Sequence, residues 1–331
     1  MQINPFDFER PIAELDQILV ELSRPEKRRE AEEQGIDLEA EIQRVEQEKQ
    51  RLMRHLFAHL SPWEKTQMAR YPQRPYSLDY IRQVFDDFME MSGDRLFGND
   101  EAVVGGPALL EKKPVMVIGQ QKGRDLKERQ RRNFGSAYPE GFRKALRLMK
   151  MAEKFNRPII TLVDTPAAEA GLGAEERGIS EAIARNLREM PMLAVPIVTA
   201  VIGEGGSGGA LGIAVGDRVL MFEHATYSVI PPEGCAAILW RDRNRAAEAA
   251  GALKLTAQHA HCFGLVDEVL IEPLGGAHRD PMAASATLKK ALTHHLDQLR
   301  EIPVPELLEQ RYQKFRQMGR WTERTETVEP E

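Results

Sequence analysis

The stretch from Pro196 to Ala214 constrains this chain more than any other. A β-branched and apolar run, Ile197-Val-Thr-Ala-Val-Ile202, ends in five glycines within seven residues, Gly203-Glu-Gly-Gly-Ser-Gly-Gly209, and a small-residue apolar segment follows. This pattern predicts a buried strand, a turn, and a helix whose first turn carries almost no side chains. Glycine lets another molecule approach the backbone closely. A helix N-terminus presents N–H groups without intrahelical partners, suited to an anion or to an oxygen on which negative charge develops. The functional centre is expected here.

Three motifs overlap the stretch. Gly203-x-Gly205-x-x-Gly208 matches the dinucleotide fingerprint, with Glu223 at the end of the next apolar run. The intervening helix has only about nine residues before Gly216-Asp217, short for a crossover in a unit of about thirty. Gly205-x-Ser207-x-Gly209 matches the nucleophile elbow, with His224 and several aspartates as partners. Tight packing explains the same small residues. A turn that holds an oxyanion without a protein nucleophile is the third reading.

Composition narrows the class. The chain has 331 residues, 42% hydrophobic and 29% charged, with a net charge of −6, so no nucleic-acid signature is present and any anion site is a local patch. Cys235 and Cys262 show no CxxC spacing, which excludes a disulfide framework and fits a reducing compartment. The start reads as neither signal nor transit peptide, and no apolar run is long enough to span a membrane. A cytoplasmic protein is expected. His259-x-His261-Cys262 and His294-His295 lack zinc spacing, so no metal is expected in this chain.

Along the chain, residues 11–22 carry helical periodicity, a charged break covers 23–35, and Leu38 to Leu60 form a nearly heptad seam. An antiparallel helical pair is expected. Ser61-Pro62-Trp63-Glu64 reads as a capping box with proline at the first helical position. Ser77 opens a helix expected to run through Met91. Val103–Leu110 and Val115–Ile118 read as strands about a turn at 111–114. Six basic residues then fall within eleven, among them Lys122, Arg124, Arg131 and Arg132. They read either as a solvated face or as contacts to phosphates of a cofactor such as coenzyme A, with Arg143, Lys144 and Arg147 nearby. A strand at 158–163 leads into the small-residue turn Asp164–Gly173, followed by a helix at 174–190. Strands at 219–222 and 265–271, a helix at 281–300 and another at about 305–318 complete the pattern, with a polar tail expected to be disordered. The alternation argues an α/β fold with buried strands, its two small-residue turns gathered at one edge of the sheet to form a cleft.

The chain resembles a known family at six places in order: Arg132-Asn-Phe-Gly135; Pro139-Glu-Gly141 with Arg143–Met149; Gly173-Ala-Glu-Glu-Arg-Gly178; Gly203–Gly209; Pro232-Glu-Gly-Cys235; and Glu272–Arg279. The resemblance is to the α subunits of bacterial acetyl-coenzyme A carboxylase carboxyltransferase, over about residues 3–318. It implies a crotonase-like fold, a β-β-α superhelix with an N-terminal helical extension. The expected organisation is a docking segment at 1–70, a carboxyltransferase domain at 71–301, and a C-terminal helix and tail at 302–331. It also implies assembly with a separate zinc-bearing β subunit as an α2β2 heterotetramer, served by a biotin carboxyl carrier protein and biotin carboxylase. Carboxybiotin would be held chiefly by the α chain and the coenzyme A thioester chiefly by the β chain, giving malonyl-coenzyme A for fatty-acid synthesis. By the same resemblance the amides of Gly205 and Gly206 face the biotin oxyanion, Ala167 and Ala168 form the second turn, and Ser207 is a packing residue. One departure stands out. Where the family usually reads Asp-Thr-Pro-Gly-Ala-Tyr-Pro-Gly, this chain has Asp164-Thr-Pro-Ala167-Ala168-Glu169-Ala170-Gly171. It opens a second reading, an altered-function paralogue acting as a binding and assembly subunit.

Overall fold

The computed structural model describes residues 6–319; the polar tail from residue 320 onward lies outside the described residues. The N-terminal part is helical: α1 (Arg10–Leu22), α2 (Pro25–Gln34), α3 (Leu38–Ala58) and α4 (Pro62–Ala69). The apolar faces of α1 and α3 meet, and Ile12, Met53, Phe57, Leu60 and Met68 form a small separate core. The charged break expected at 23–35 is instead the helix α2. Its Glu, Lys, Arg and Ala are strong helix formers, and Pro25 is its first residue, where the missing N–H costs nothing. At α4 the capping box forms as read: the Ser61 hydroxyl accepts from Glu64 N, and the Glu64 carboxylate accepts from Ser61 N.

Helix α5 (Ser77–Val84) stops short of the expected Met91. The chain beyond it is extended and hydrogen-bonds to β1 (Val103–Leu110), with Asp86 and Leu109 exchanging N–H···O bonds and Met89 and Met91 N–H reaching Pro107 and Gly105 carbonyls. β1 is an edge strand, and its outer row of N–H and C=O groups needs partners that a continued helix would not supply. β1 turns back into β2 (Lys113–Gln120) as an antiparallel hairpin, with Glu111 and Lys112 both at positive φ in the two-residue turn. Helices α6 (Leu126–Arg131) and α7 (Pro139–Lys154) follow.

The remaining strands are parallel: β3 (Ile159–Thr165), β4 (Ile197–Gly206), β5 (Arg218–Phe222), β6 (Thr226–Ser228) and β7 (Glu268–Leu270). The sheet order is β1-β2-β3-β4-β5-β7, with β6 pairing only the end of β4. β4 is therefore central, and its near-continuous apolar run is buried because helices cover both faces. The helix expected at 174–190 is two helices, α8 (Leu172–Glu176) and α9 (Ile179–Glu189), parted at Arg177-Gly178. Between β4 and β7 lie α10 (Ser207–Leu211), α11 (Pro232–Trp240), α12 (Ala246–Leu253) and α13 (Ala257–Cys262). Helices α14 (Pro281–Arg300) and α15 (Val304–Arg316) close the body close to where they were expected. No helix among the described residues is long and apolar enough to cross a membrane.

One buried arginine holds α15 to the sheet. Arg311 donates to both carboxylate oxygens of Asp217 at 2.8 Å, and to the carbonyls of Met190, Leu193 and Val195.

Candidate functional site

The site begins with a mismatch between two neighbouring strands. β3 and β4 pair residue for residue up to Val163↔Val201, then resume at Thr165↔Gly205. Ile202, Gly203 and Glu204 thus face the single residue Asp164, which makes a β-bulge. The Asp164 carboxylate takes the place of the missing ladder partner: its Oδ1 accepts from Glu204 N at 3.0 Å and from Lys122 Nζ at 2.8 Å. Only glycine fits at 203, since a Cβ there would lie 2.4 Å from Asp164 Oδ1. A bulge re-aims the strand that follows, and here that strand is Gly205-Gly206.

The expected turn at Gly203 is therefore later than read. β4 continues through Gly206 because β6 pairs it there, Gly205↔Tyr227 and Gly206↔Ser228. The helix that follows has five residues, not nine. This is far too short for a nucleotide-binding crossover. The Pro166–Ala168 turn lies directly against the strand end: a Cβ on Gly206 would meet Pro166 O at 1.9 Å, and one on Gly209 would meet Ala167 C at 2.5 Å. Gly205, Gly206, Ala167 and Ala168 are thus brought together as the sequence anticipated.

Two recesses flank this junction. A narrow one is lined by Arg70, Pro166, Gly205, Gly206, Ser228 and Pro231. A larger groove of about 330 Å³ runs past Ser207 and Gly208 between Leu211, Ala214, Tyr227, Val229, Phe315 and Met318. Its lining is almost wholly apolar. Ser207 and His224 share no hydrogen bond; the His224 ring lies against Phe57 with centroids 6.0 Å apart, and the His224 backbone N–H donates to Glu272. The nucleophile-elbow reading loses its base.

The altered turn carries no backbone strain, because Ala167, Ala168 and Ala170 all keep negative φ. Glu169 is not a bare charge either. Its carboxylate accepts from Asn133 Nδ2 and from Gly171 N, each at 2.7 Å.

The basic run is spent mainly on protein partners. Lys122 reaches into the site, bridging Asp164 and Glu204. Burial opposes its charge, and the two carboxylates more than offset that, pushing its pKa up. Arg124 stacks 3.9 Å over Tyr76, binds the carbonyls of Pro72 and Arg74 and pairs with Asp79. Arg131 pairs with Glu101, and Arg132 with Glu128 and the Glu101 carbonyl. Of the helix cations expected nearby, Arg143 pairs with Asp94 and Glu140, and Lys144 is buried against Asn99 and the Asp100 carbonyl.

Sequence reasoning missed the ionic frame around the turn. Glu204 binds Arg70 as well as Lys122, and Arg70 also binds Glu233. A signal was present: Glu204 is the one charged residue of β4, and a charge inside a buried strand demands partners.

Comparison with known proteins shows the family and the fold. The family described as acetyl co-enzyme A carboxylase carboxyltransferase-like matches residues 5–319. The acetyl-coenzyme A carboxylase carboxyl transferase subunit α of Geobacter metallireducens is 54% identical over 317 residues, covering 96% of this chain and 98% of its own. That of Edwardsiella ictaluri is 54% identical over 319 residues, 96% of this chain and 99% of its own. Among solved structures, transcarboxylase 12S superposes with a TM-score of 0.51 at 24% identity, over 62% of this chain and 40% of that one. This chain thus spans under half of the transcarboxylase chain. A Pseudomonas malonate decarboxylase hetero-tetramer in complex with coenzyme A gives a TM-score of 0.54 at 16% identity, over 65% of this chain and 86% of that one. The structural likenesses establish the crotonase-like α/β fold, and the sequence matches establish that the chain belongs to the α-subunit family of acetyl-coenzyme A carboxylase carboxyltransferase.

Proposed function

We infer that this chain is the α subunit of an acetyl-coenzyme A carboxylase carboxyltransferase. In this reading it takes part in moving a carboxyl group from carboxybiotin, carried on a separate protein, to acetyl-coenzyme A, and so makes malonyl-coenzyme A for fatty-acid synthesis. The observation that carries it is the close approach of the Pro166–Ala168 turn to Gly205-Gly206, beside an apolar groove of about 330 Å³. A groove of this size and lining suits a mostly apolar ring system that needs a few backbone donors. The relatives named above support the same activity. Nothing favours the assembly-only paralogue: the altered turn is unstrained and the Glu169 carboxylate has partners.

Bound carboxybiotin supplies the carboxyl group and, as that group leaves, an oxygen that gains negative charge. The backbone amides of Gly205 and Gly206 are the candidate donors to that oxygen, with those of Ala167 and Ala168 as a second set. Such donors act by preorganisation, each worth about 2.7–4 kcal/mol in the transition state. The apolar wall of Leu211, Tyr227 and Val229 excludes water, which strengthens those bonds. Lys122, Arg124, Arg131 and Arg132 each pair with a protein carboxylate, which a phosphate contact would have to displace or share. The thioester is held chiefly by a zinc-bearing β subunit, in an α2β2 assembly that works with the biotin carrier and biotin carboxylase in the cytoplasm. Exposed Val229 on the groove, and exposed Ile238 and Leu239 on α11, suit such a partner.

The test is malonyl-coenzyme A-dependent carboxylation of biocytin by the chain together with its own β subunit. Turnover is expected from the pair and not from either chain alone. Gly206→Val should lower kcat by about a hundredfold or more. A stable complex with no turnover would overturn this function.

A further inference from the structure

Behind the glycine backbone lies a charged clasp that ties the N-terminal helices to the end of β4. Each oxygen of the Glu204 carboxylate has its own cation: Oε1 accepts from Arg70 Nε and Oε2 from Lys122 Nζ, both at 2.7 Å. The Glu204 N–H is fixed in turn on Asp164. The far end of the Arg70 guanidinium binds Glu233 Oε1 at 2.5 Å, in the first turn of α11. Arg70 is the C-cap of α4, and α4 is anchored through Met68 in the N-terminal apolar core with Phe57 and Leu60. One planar fork therefore spans three elements: α4, the residue just before Gly205, and the helix α11 that Pro232 opens. The last two line the narrow recess beside Gly205-Gly206 together with Arg70 itself.

We propose that Arg70 is a positioning residue for the carboxyl transfer, and that through it the N-terminal helical segment sets the pose of the Gly205-Gly206 amides. The proposal rests on the function inferred above. Its physical basis is geometric: Glu204 precedes the two glycines, glycine backbone has no side chain of its own to hold it, and the bulge at 202–204 interrupts the β3 ladder immediately before them. Misplacement of donors by a fraction of an ångström is enough to be felt in the rate. Lysine cannot replace the fork, because a point charge does not hold two carboxylates in a fixed plane.

The groups facing Glu204 are Arg70 from α4, Lys122 beyond β2, Asp164 from β3 and, across Arg70, Glu233 from α11. Burial raises the cost of the Glu204 charge, and Lys122 and then Arg70 outweigh it, so its carboxyl titrates below the usual range. Without Arg70, Glu204 and Asp164 share Lys122 alone, and the Glu204 pKa rises.

The experiment uses the full chain with its β subunit and the biocytin assay above. Arg70→Gln should lower kcat by about 10- to 100-fold, with the KM for malonyl-coenzyme A changed by less than about threefold. The acid limb of its kcat–pH profile should move to higher pH. Arg70→Lys should recover part of the rate and remain about 3- to 10-fold below the parent. Normal kcat per assembled complex in R70Q, with an unmoved pH profile, would overturn the proposal even if less complex formed. Should R70Q not fold, R70K decides alone, and a parental kcat there would overturn it. A parent complex that does not turn over removes the inferred function and the clasp with it. A working parent with indifferent Arg70 variants removes the clasp only.

Discussion

Arg311 and Arg70 each pin a peripheral helix to the central sheet, and they do so in opposite settings. Arg311 is fully buried, and its donors meet both oxygens of an equally buried Asp217 and several carbonyls. Arg70 remains about a third exposed and divides its donors between two carboxylates on different elements, Glu204 and Glu233. A buried, fully satisfied arginine cannot move without stranding a charge, so it acts as a lock. A partly exposed one is screened by water and contributes little to stability. What it offers is a direction for the groups it holds. The difference separates holding the fold from aiming the site.

The largest effect that would sharpen this contrast is on the lock. Arg311→Met leaves the Asp217 carboxylate buried without its cation, and should cost about 3–5 kcal/mol, read as a lower urea midpoint. The kcat of whatever complex forms should stay near the parent's. A midpoint within error of the parent would break the comparison.

Acid should next distinguish the two attachments. The N-terminal segment packs Phe57 against His224 and Tyr71 against His278. Burial, with Arg279 and Arg74 adding at His278, pushes both rings down to about 4 from 6.5. Between those values the unfolded chain takes up protons that the folded chain refuses, so stability is full above pH 6.5 and falls towards pH 4. The loss should approach about 3 kcal/mol for His224, and less for the more open His278. Hydrogen exchange across residues 6–70 should accelerate in this window before that of α15. Simultaneous loss of both would contradict the separation.

Smaller still is the stability cost of Arg70→Gln. At its exposure the pair is worth no more than about 1 kcal/mol, despite the tenfold or greater loss of kcat expected. Last comes Arg131→Ala, which removes a pair with Glu101 at an arginine more than half exposed. It should shift stability by under about 0.5 kcal/mol and leave kcat unchanged. A clear activity loss there would favour the phosphate-contact reading of the basic run.

Features that rest on near neighbours were legible. The capping box spans Ser61 to Glu64, and the hairpin of β1 and β2 closes over two residues. The heptad-like seam of α3 and the stop at α14 follow from periodicity and proline placement. The family resemblance rested on short segments of the same kind, and it located Gly205, Gly206 and the facing turn. The misread places share another cause. Helix formation beyond Val84 was overruled by the open edge of β1, and the strand end at Gly203 was extended by β6, whose pairing no local pattern announced. The ion-pair partners of the basic run at 122–132, such as Glu204 for Lys122 and Asp79 for Arg124, lie tens of residues away, and no local pattern announced them.

By itself, then, the sequence determined the class of fold, the central buried strand, and the pair of small-residue turns at its end, because periodicity, caps and missing side chains act within a few residues. Tertiary structure alone decided where β4 ends, how the bulge at Asp164 aims Gly205-Gly206, and which cations face inward. Arg70 and Glu204 stand 134 positions apart, and only closure of the chain around the sheet sets two such charges at hydrogen-bonding distance, where the buried Glu204 carboxylate takes a cation on each oxygen.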